Sequence, residues 1–285
     1  MNNTFNINRF GKILKHDGLN FFPNLILALA ILWAIPVVIY LFTSLMPTDE
    51  TKDVFDACGR INIIDALTKI AVIIAPVRLY KYCNDSRKGI GYAMLPASTL
   101  EKFLSMVLYC ALVTPIIYIA GALAIDSILA LFNGPYEGFA ISEFFDTMSQ
   151  IKHQLINSGV RWEEDLPVYA EYDKLITPFI RIMLSIFGIL SLSSIFMFGN
   201  MIFKKHKTGK MIGILILLFI IFMIIFINYV ANNEEYFEQK LSNIDGENFV
   251  KLIIYYFTRG LLVVQIVVSA VLLWGTYRKI KTQKY

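Results

Sequence analysis

MIGILILLFIIFMIIFINYV, residues 211–230, contains no charged side chain in twenty consecutive positions. A bilayer core is about 30 Å thick, and a helix needs roughly 20 apolar residues to cross it. This segment therefore has the length and composition of a membrane-spanning helix. The whole chain of 285 residues is 56% hydrophobic, with a mean hydropathy of +0.59. We infer that it cannot bury its apolar surface in one water-soluble core.

The same criterion, applied outward from this segment, predicts six spans near residues 23–45, 61–79, 103–125, 176–202, 211–231 and 252–275. The second is the shortest and carries two charges, Asp65 and Lys69. We therefore expect an all-α, polytopic membrane protein with six transmembrane helices in one domain, residues 1–285. The sixth span has an alternative start near residue 258, with residues 249–258 forming a short re-entrant segment.

The loops between these spans alternate in charge. Sixteen of the 26 basic residues lie in one set of loops, in four groups: Arg9, Lys12, Lys15; Arg78, Lys81, Arg87, Lys88, Lys102; Lys204, Lys205, Lys207, Lys210; and Arg278, Lys279, Lys281, Lys284. The acids in that set are Asp17, Asp85 and Glu101, whereas the other three loops hold seventeen acids. Because lysine and arginine stay on the cytoplasmic side, both termini are predicted to be cytoplasmic in the inner (plasma) membrane.

Two segments outside the spans have helical patterns. Residues 5–15 place Phe10, Ile13 and Leu14 on one face, which is typical of a basic amphipathic helix in the membrane interface. We predict such an interfacial element over residues 1–20, a basic tail being the alternative. The outer loop, residues 134–174, carries apolar residues at helical spacing, which predicts a helix near 141–157.

The sequence lacks signals of catalysis. His16, His153 and His206 fall on different sides of the membrane, so they are not expected to share a metal. Residues 208–211, TGKM, lack the spacing of a phosphate-binding loop. We therefore expect no enzyme activity, no metal and no cofactor in this chain. The basic residues adjoin spans, where anionic lipid is the expected partner, and they do not indicate nucleic-acid binding.

The segment with the most local information is the basic loop between spans 2 and 3, DSRKGIGYAMLPASTLEK, residues 85–102. Pro96 ends any preceding helix, and Ser98 with Glu101 matches a capping box that starts the next one. The pattern predicts a charged loop, a tight turn and then a rigid helix that becomes span 3. A rigid element of this kind, residues 86–102, can transmit a force from the cytoplasm into the bilayer.

Residues 94–103, MLPASTLEKF, resemble the coupling region of type-2 ABC transporter (exporter) permease subunits, and are similar to permease-like members from the Bacteroides group. The residues that precede this segment, 85–90, lack the threonine that is common at this place in that family. The resemblance implies a permease that dimerises with a second six-span subunit and uses a separate ABC ATPase. It also implies the residues that couple to that ATPase: Arg87, Lys88, Gly89, Leu95, Pro96, Ser98 and Glu101.

Ionisable residues within spans are functional hypotheses by default. Five are predicted here: Asp65, Lys69, Asp126, Arg181 and Arg259. Asp65 and Lys69 are spaced to pair along one helix. Asp126 and Arg181 are close enough to span ends to snorkel to the interface, and Arg259 is the deepest charge if span 6 starts near 252. The alternative function is that of a non-transporting accessory, anchoring or sensing protein. An intramembrane enzyme is disfavoured, because no HExxH, Ser-His or paired-Asp arrangement converges at one depth.

Overall fold

A computed structural model describes residues 5–45, 57–83, 89, 92, 94–132, 138–142, 145, 168–204, 206–232 and 246–282. These residues contain helices and no strand. We number the six long helices in chain order: α1 Ile7–Leu45, α2 Ala57–Leu79, α3 Thr99–Ala130, α4 Val168–Ile202, α5 Lys207–Asn232 and α6 Gly246–Thr282.

Five of these helices, all except α2, are long and apolar enough to cross a membrane. The predicted all-α fold is confirmed for the described residues, and five helices have the length and composition expected of a multi-pass membrane protein. Helix α2 does not meet the same criterion because four charged residues interrupt its 23 positions, Arg60, Asp65, Lys69 and Arg78. Most of these charges have partners inside the bundle, as described below.

Helix α1 begins well before its predicted span. It runs without a break from Ile7, so the basic amphipathic segment is helical but is not a separate element. The physical reason is a continuous buried stripe: Ile13, Asp17, Phe21 and Leu25, four residues apart, all pack inward. A hydropathy window detects only the apolar part of such a helix, whereas the packing extends past it.

Helices α4 and α6 also begin early, at Val168 and Gly246. Helix α6 is continuous through residues 249–258, so these residues form the first turns of the helix rather than a re-entrant segment. The predicted outer helix near 141–157 lies almost entirely outside the described residues.

The core lies between α1, α2, α3 and α4. Phe21, Leu29, Ala71, Tyr118 and Met197 are among its fully or almost fully buried members. Helices α5 and α6 pack against α4 on the outside of this core. Only 6% of the apolar window of α5 is buried. A helix that is apolar all round and exposed in this way is suited to a lipid surface.

Side-chain contacts show that neighbouring helices alternate in direction. The start of α1 meets the start of α3 where Arg9 contacts Glu101, and the end of α2 meets the end of α4 where Asn200 binds Tyr80. Lys207, at the start of α5, and Tyr277, near the end of α6, lie at the same end. We call it the basic end, because the basic loops join the helices there. At the opposite, acidic end, Tyr40 of α1 donates to the Phe132 carbonyl.

Helix α3 contains a π-helical stretch, Leu108–Val113. Pro115 follows it and has no N–H to donate, which favours irregular hydrogen bonding in the turn before it. The Thr114 N–H reaches back to the Tyr109 carbonyl, and the Thr114 hydroxyl donates to the same oxygen at 2.8 Å. The irregularity that accompanies Pro115 therefore takes the form of a π-helical insertion.

Candidate functional site

The candidate site is built around the start of α3 at the basic end. Pro96 is exposed in a tight turn, in which the Ala97 N–H donates to the Leu95 carbonyl at 2.7 Å. Ser98 then begins the helix: its hydroxyl accepts from the Glu101 N–H at 3.3 Å, while the Glu101 carboxylate accepts from the Ser98 N–H at 2.9 Å. The predicted capping box is confirmed.

Glu101 does more than cap its own helix. Its second oxygen accepts from the Asn6 N–H at 2.8 Å and from the Arg9 guanidinium at 3.2 Å, both at the start of α1. Asn6 in turn caps α1 by accepting from the Asn8 N–H. The Glu101 side chain is fully buried. One carboxylate therefore joins the first turns of α1 and α3.

A second joint lies two turns deeper in α1. The buried Asp17 carboxylate accepts hydrogen bonds from the Ser105 hydroxyl of α3 at 2.6 Å and from the Tyr80 hydroxyl at 2.9 Å. Its other oxygen lies 3.2 Å from Nδ1 of His16. The hydropathy pattern places Asp17 in a loop, and that placement is wrong, because Asp17 lies buried within α1. The four-residue spacing from Ile13 to Phe21 puts it on the buried face, and this signal was present in the sequence.

The end of α2 is held by polar groups of α4 and α5. The Asn200 amide donates to the carbonyls of Pro76 and Tyr80, at 3.1 and 2.8 Å. The Lys207 ammonium donates to the Lys81 carbonyl and to the Asn200 side chain. The Pro76 and Tyr80 carbonyls also accept from the N–H groups of Tyr80 and Cys83, so the amide and the cation add a second set of hydrogen bonds at this helix end, where a positive charge is favourable.

A cavity of about 310 Å³, lined by polar and aromatic side chains, opens beside Asp17, between α1 and the end of α2. Its walls include His16, Asn20 and Asn24 of α1, with Tyr80, Cys83 and Tyr92 opposite. The Lys102 ammonium donates to the Tyr92 carbonyl at 2.9 Å, which fixes the chain beside the cavity to α3. Burial raises the pKa of the Cys83 thiol to about 12, the negative charge of Asp17 adding to the effect.

These contacts bring part of the predicted coupling segment together. One turn and helix cap contains Leu95, Pro96, Ser98 and Glu101. Gly89, which precedes this turn in the sequence, is buried. Arg87 and Lys88 lie outside the described residues. Glu101 and Asp17 join α1 to α3, and Lys102 joins α3 to the chain at Tyr92.

Asp65 and Lys69 form the predicted pair on α2, with nitrogen and oxygen 2.5 Å apart and about a third of each side chain exposed. Asp65 also accepts from the Ser185 hydroxyl of α4 at 2.9 Å. This arrangement holds α2 to α4 and satisfies the charge locally.

Asp126 does not snorkel to the interface as expected. It is buried at the acidic end and forms a salt bridge with the equally buried Arg60 of α2 at 2.8 Å. The Ala140 N–H donates to its second oxygen, and Arg60 donates to the Gly138 carbonyl. The expectation is wrong because Arg60, assigned to the outer loop, belongs to the first turn of α2. No local pattern in the sequence indicated this pairing across 66 residues.

The remaining two predicted charges lie in helices. Arg259 is half-buried in α6, four turns from its start. Arg181 lies within α4, but its side chain is outside the described part of the structure. Neither is near the basic-end site in sequence. The snorkelling of Arg181 and a functional role for Arg259 within its span stay predictions.

Within the described ranges, histidine, cysteine and acidic residues form no group of three that could hold a metal ion. No protein-family model matches the chain, and no curated protein or solved structure matches it significantly.

Proposed function

We propose that the chain is the membrane-spanning permease subunit of an ABC-type exporter in the inner membrane, driven by a separate ATPase subunit. The observation that carries the proposal is the joint at the basic end. There a turn at Pro96 leads into a capped helix that Glu101 ties to α1 and that continues as a span of the bundle. A loop pushed from outside the membrane would move two spans together.

Six spans with both termini cytoplasmic form part of this proposal. Helix α2 has 23 residues, about 35 Å at 1.5 Å per residue, which suffices to cross a bilayer core. Arg60 and Asp65 have partners within the bundle, so their charge is no barrier to insertion beside other helices. The basic loops at one end favour the cytoplasmic assignment for that end.

In the proposed mechanism, closure of the ATPase on ATP moves the loop that precedes Ser98. Because Glu101 and Asp17 join α3 to α1, these helices tilt together, and the other helices respond through the core. The π-helical stretch, Leu108–Val113, is the point at which α3 can change its hydrogen bonding with the least cost. The cycle requires that the two states of the permease favour different states of the ATPase. A dimer with a second six-span subunit would complete the pathway.

The experiment is affinity purification of the tagged chain from its native membrane, with identification of co-purifying proteins by mass spectrometry. The proposal predicts an ABC ATPase in roughly equal amount. A matched variant, in which residues 84–90 are replaced by a Gly/Ser linker of equal length, should insert normally and lose the ATPase. Recovery of the chain with other membrane or envelope proteins, and with no ATPase, would support an accessory or sensing role instead.

A further inference from the structure

Three carboxylates are buried among the described residues, and they differ in how their charge is balanced. Glu101 has Arg9 and Asp126 has Arg60. Asp17 forms no ion pair with any lysine or arginine in the described part of the chain; its partners are two hydroxyls and the ring of His16. Burying a carboxylate without a cation is costly unless another group balances it.

Asp17 also differs from the other two in lining the cavity at the basic end. The cavity, about 310 Å³, is at the small end of the range for small-molecule sites. Asp17 supplies a negative wall, Asn20 and Asn24 supply amides, and Tyr80 and Tyr92 supply aromatic rings on the opposite side. Carboxylate and tyrosine rings are the groups that attract an ammonium ion.

We propose that this cavity binds a small organic monocation, whose protonated amine pairs with Asp17. The surroundings set the charge of the ligand. The Lys102 ammonium already lies 5.4 Å from the centre of the Tyr92 ring, which opposes a ligand with several positive charges. Asp17 opposes an anion in the same way. The amide nitrogens of Asn20 and Asn24 each have a partner within α1, the His16 ring and the Asn20 carbonyl. The remaining N–H and the oxygen of each amide would receive a polar group of the ligand.

This binding is a property of the single chain and requires neither an ATPase nor transport. It can therefore fail while the proposed function stands, and it can succeed if the chain proves to be an accessory protein. The affinity purification tests the proposed function, and the titration described next tests ligand binding.

The test uses the full chain in lipid nanodiscs and isothermal titration with three probes of similar shape: benzylamine, benzyl alcohol and benzoate. Empty nanodiscs provide the blank for partition into lipid. We expect saturable binding of benzylamine alone. Asp17→Asn should weaken it on the order of thirty-fold, since an ion pair in a buried site becomes a neutral contact. The control Asp65→Asn alters a carboxylate that has its own lysine, and binding should not change.

Asn24→Leu provides a second variant, because Asn24 is half-buried at the cavity wall and its loss leaves the Asp17 contacts intact. It should weaken benzylamine binding several-fold without lowering the melting temperature. If Asp17→Asn does not fold, the effect of Asn24→Leu and the comparison of the three probes still test whether the cavity binds the cation. Any one of three results would overturn the proposal. These are no saturable binding at millimolar benzylamine, equal binding of benzyl alcohol, and an affinity for benzylamine that is unchanged in Asn24→Leu.

Discussion

Replacing Glu101 with alanine should destabilise the protein far more than loss of a helix cap does. The carboxylate is fully buried and accepts hydrogen bonds from Ser98, Asn6 and Arg9. The buried Ser98 N–H would lose its partner, at about 1–3 kcal/mol. Asn6 and Arg9 are more exposed and can turn to water, so they contribute roughly 0.5–1 kcal/mol each. Together these losses lower the free energy of unfolding by about 2–5 kcal/mol.

Two variants of the same turn provide controls. Ser98→Ala removes only the hydroxyl of the cap and should cost about 1 kcal/mol. Pro96→Ala alters an exposed residue and should cost less than about 1 kcal/mol, through added freedom of the unfolded chain. The assay is reversible unfolding of the purified protein in mixed micelles, followed by circular dichroism as denaturing detergent increases.

Hydrogen exchange adds a local measurement. Glu101→Ala should increase amide exchange in the first turn of α1 as well as in α3, because the carboxylate joins both. Ser98→Ala should affect α3 alone. Suppose that Glu101→Ala lowers the free energy of unfolding no more than Ser98→Ala does and leaves the amides of α1 protected. The contact between α1 and α3 then contributes nothing to stability, and the prediction is refuted.

Three further predictions follow from other sites. Asp126→Asn should cost roughly 3–5 kcal/mol, because it leaves the Arg60 charge buried without its partner, whereas Asp65→Asn should cost less than about 1 kcal/mol at its half-exposed pair; equal losses in the unfolding titration would contradict this. Cys83 should resist maleimide at pH 7–8 in the folded protein and react after unfolding, because burial raises the pKa of its thiol to about 12 and the thiolate is the reactive form; rapid labelling of the folded chain would be inconsistent with that burial. In a cysteine-free background, cysteines introduced at Ser158 and Ser242 should react with an impermeant reagent on intact cells and one at Ser86 should not; the reverse pattern would invert the topology.

The sequence predicted the features that depend on neighbours along the chain. The apolar runs predicted helices, Ser98 and Glu101 predicted a cap, and the four-residue spacing of Asp65 and Lys69 predicted their pair. Each of these depends only on residues that follow one another in a single segment of the chain. Local patterns of this kind are visible without knowledge of the fold.

The features that were missed depend on contacts between distant segments. Glu101 reaches Asn6 across 95 residues, and Arg60 reaches Asp126 across 66. Both Arg60 and Asp17 were assigned to loops because hydropathy marks where a helix is apolar and not where it starts. The packing of α1 and α2 extends into their polar turns, and it is there that the buried charges meet.

The central claim, that the turn at Pro96 couples this chain to an ATPase, is tested most directly by ATP hydrolysis per assembled complex. The complex is purified with wild-type chain or Pro96→Ala and reconstituted in nanodiscs, and hydrolysis is normalised to the amount of assembled complex. Because Pro96 is exposed and makes little contribution to stability, assembly should be unchanged while hydrolysis falls severalfold. Equal hydrolysis per complex for the two chains would contradict the claim.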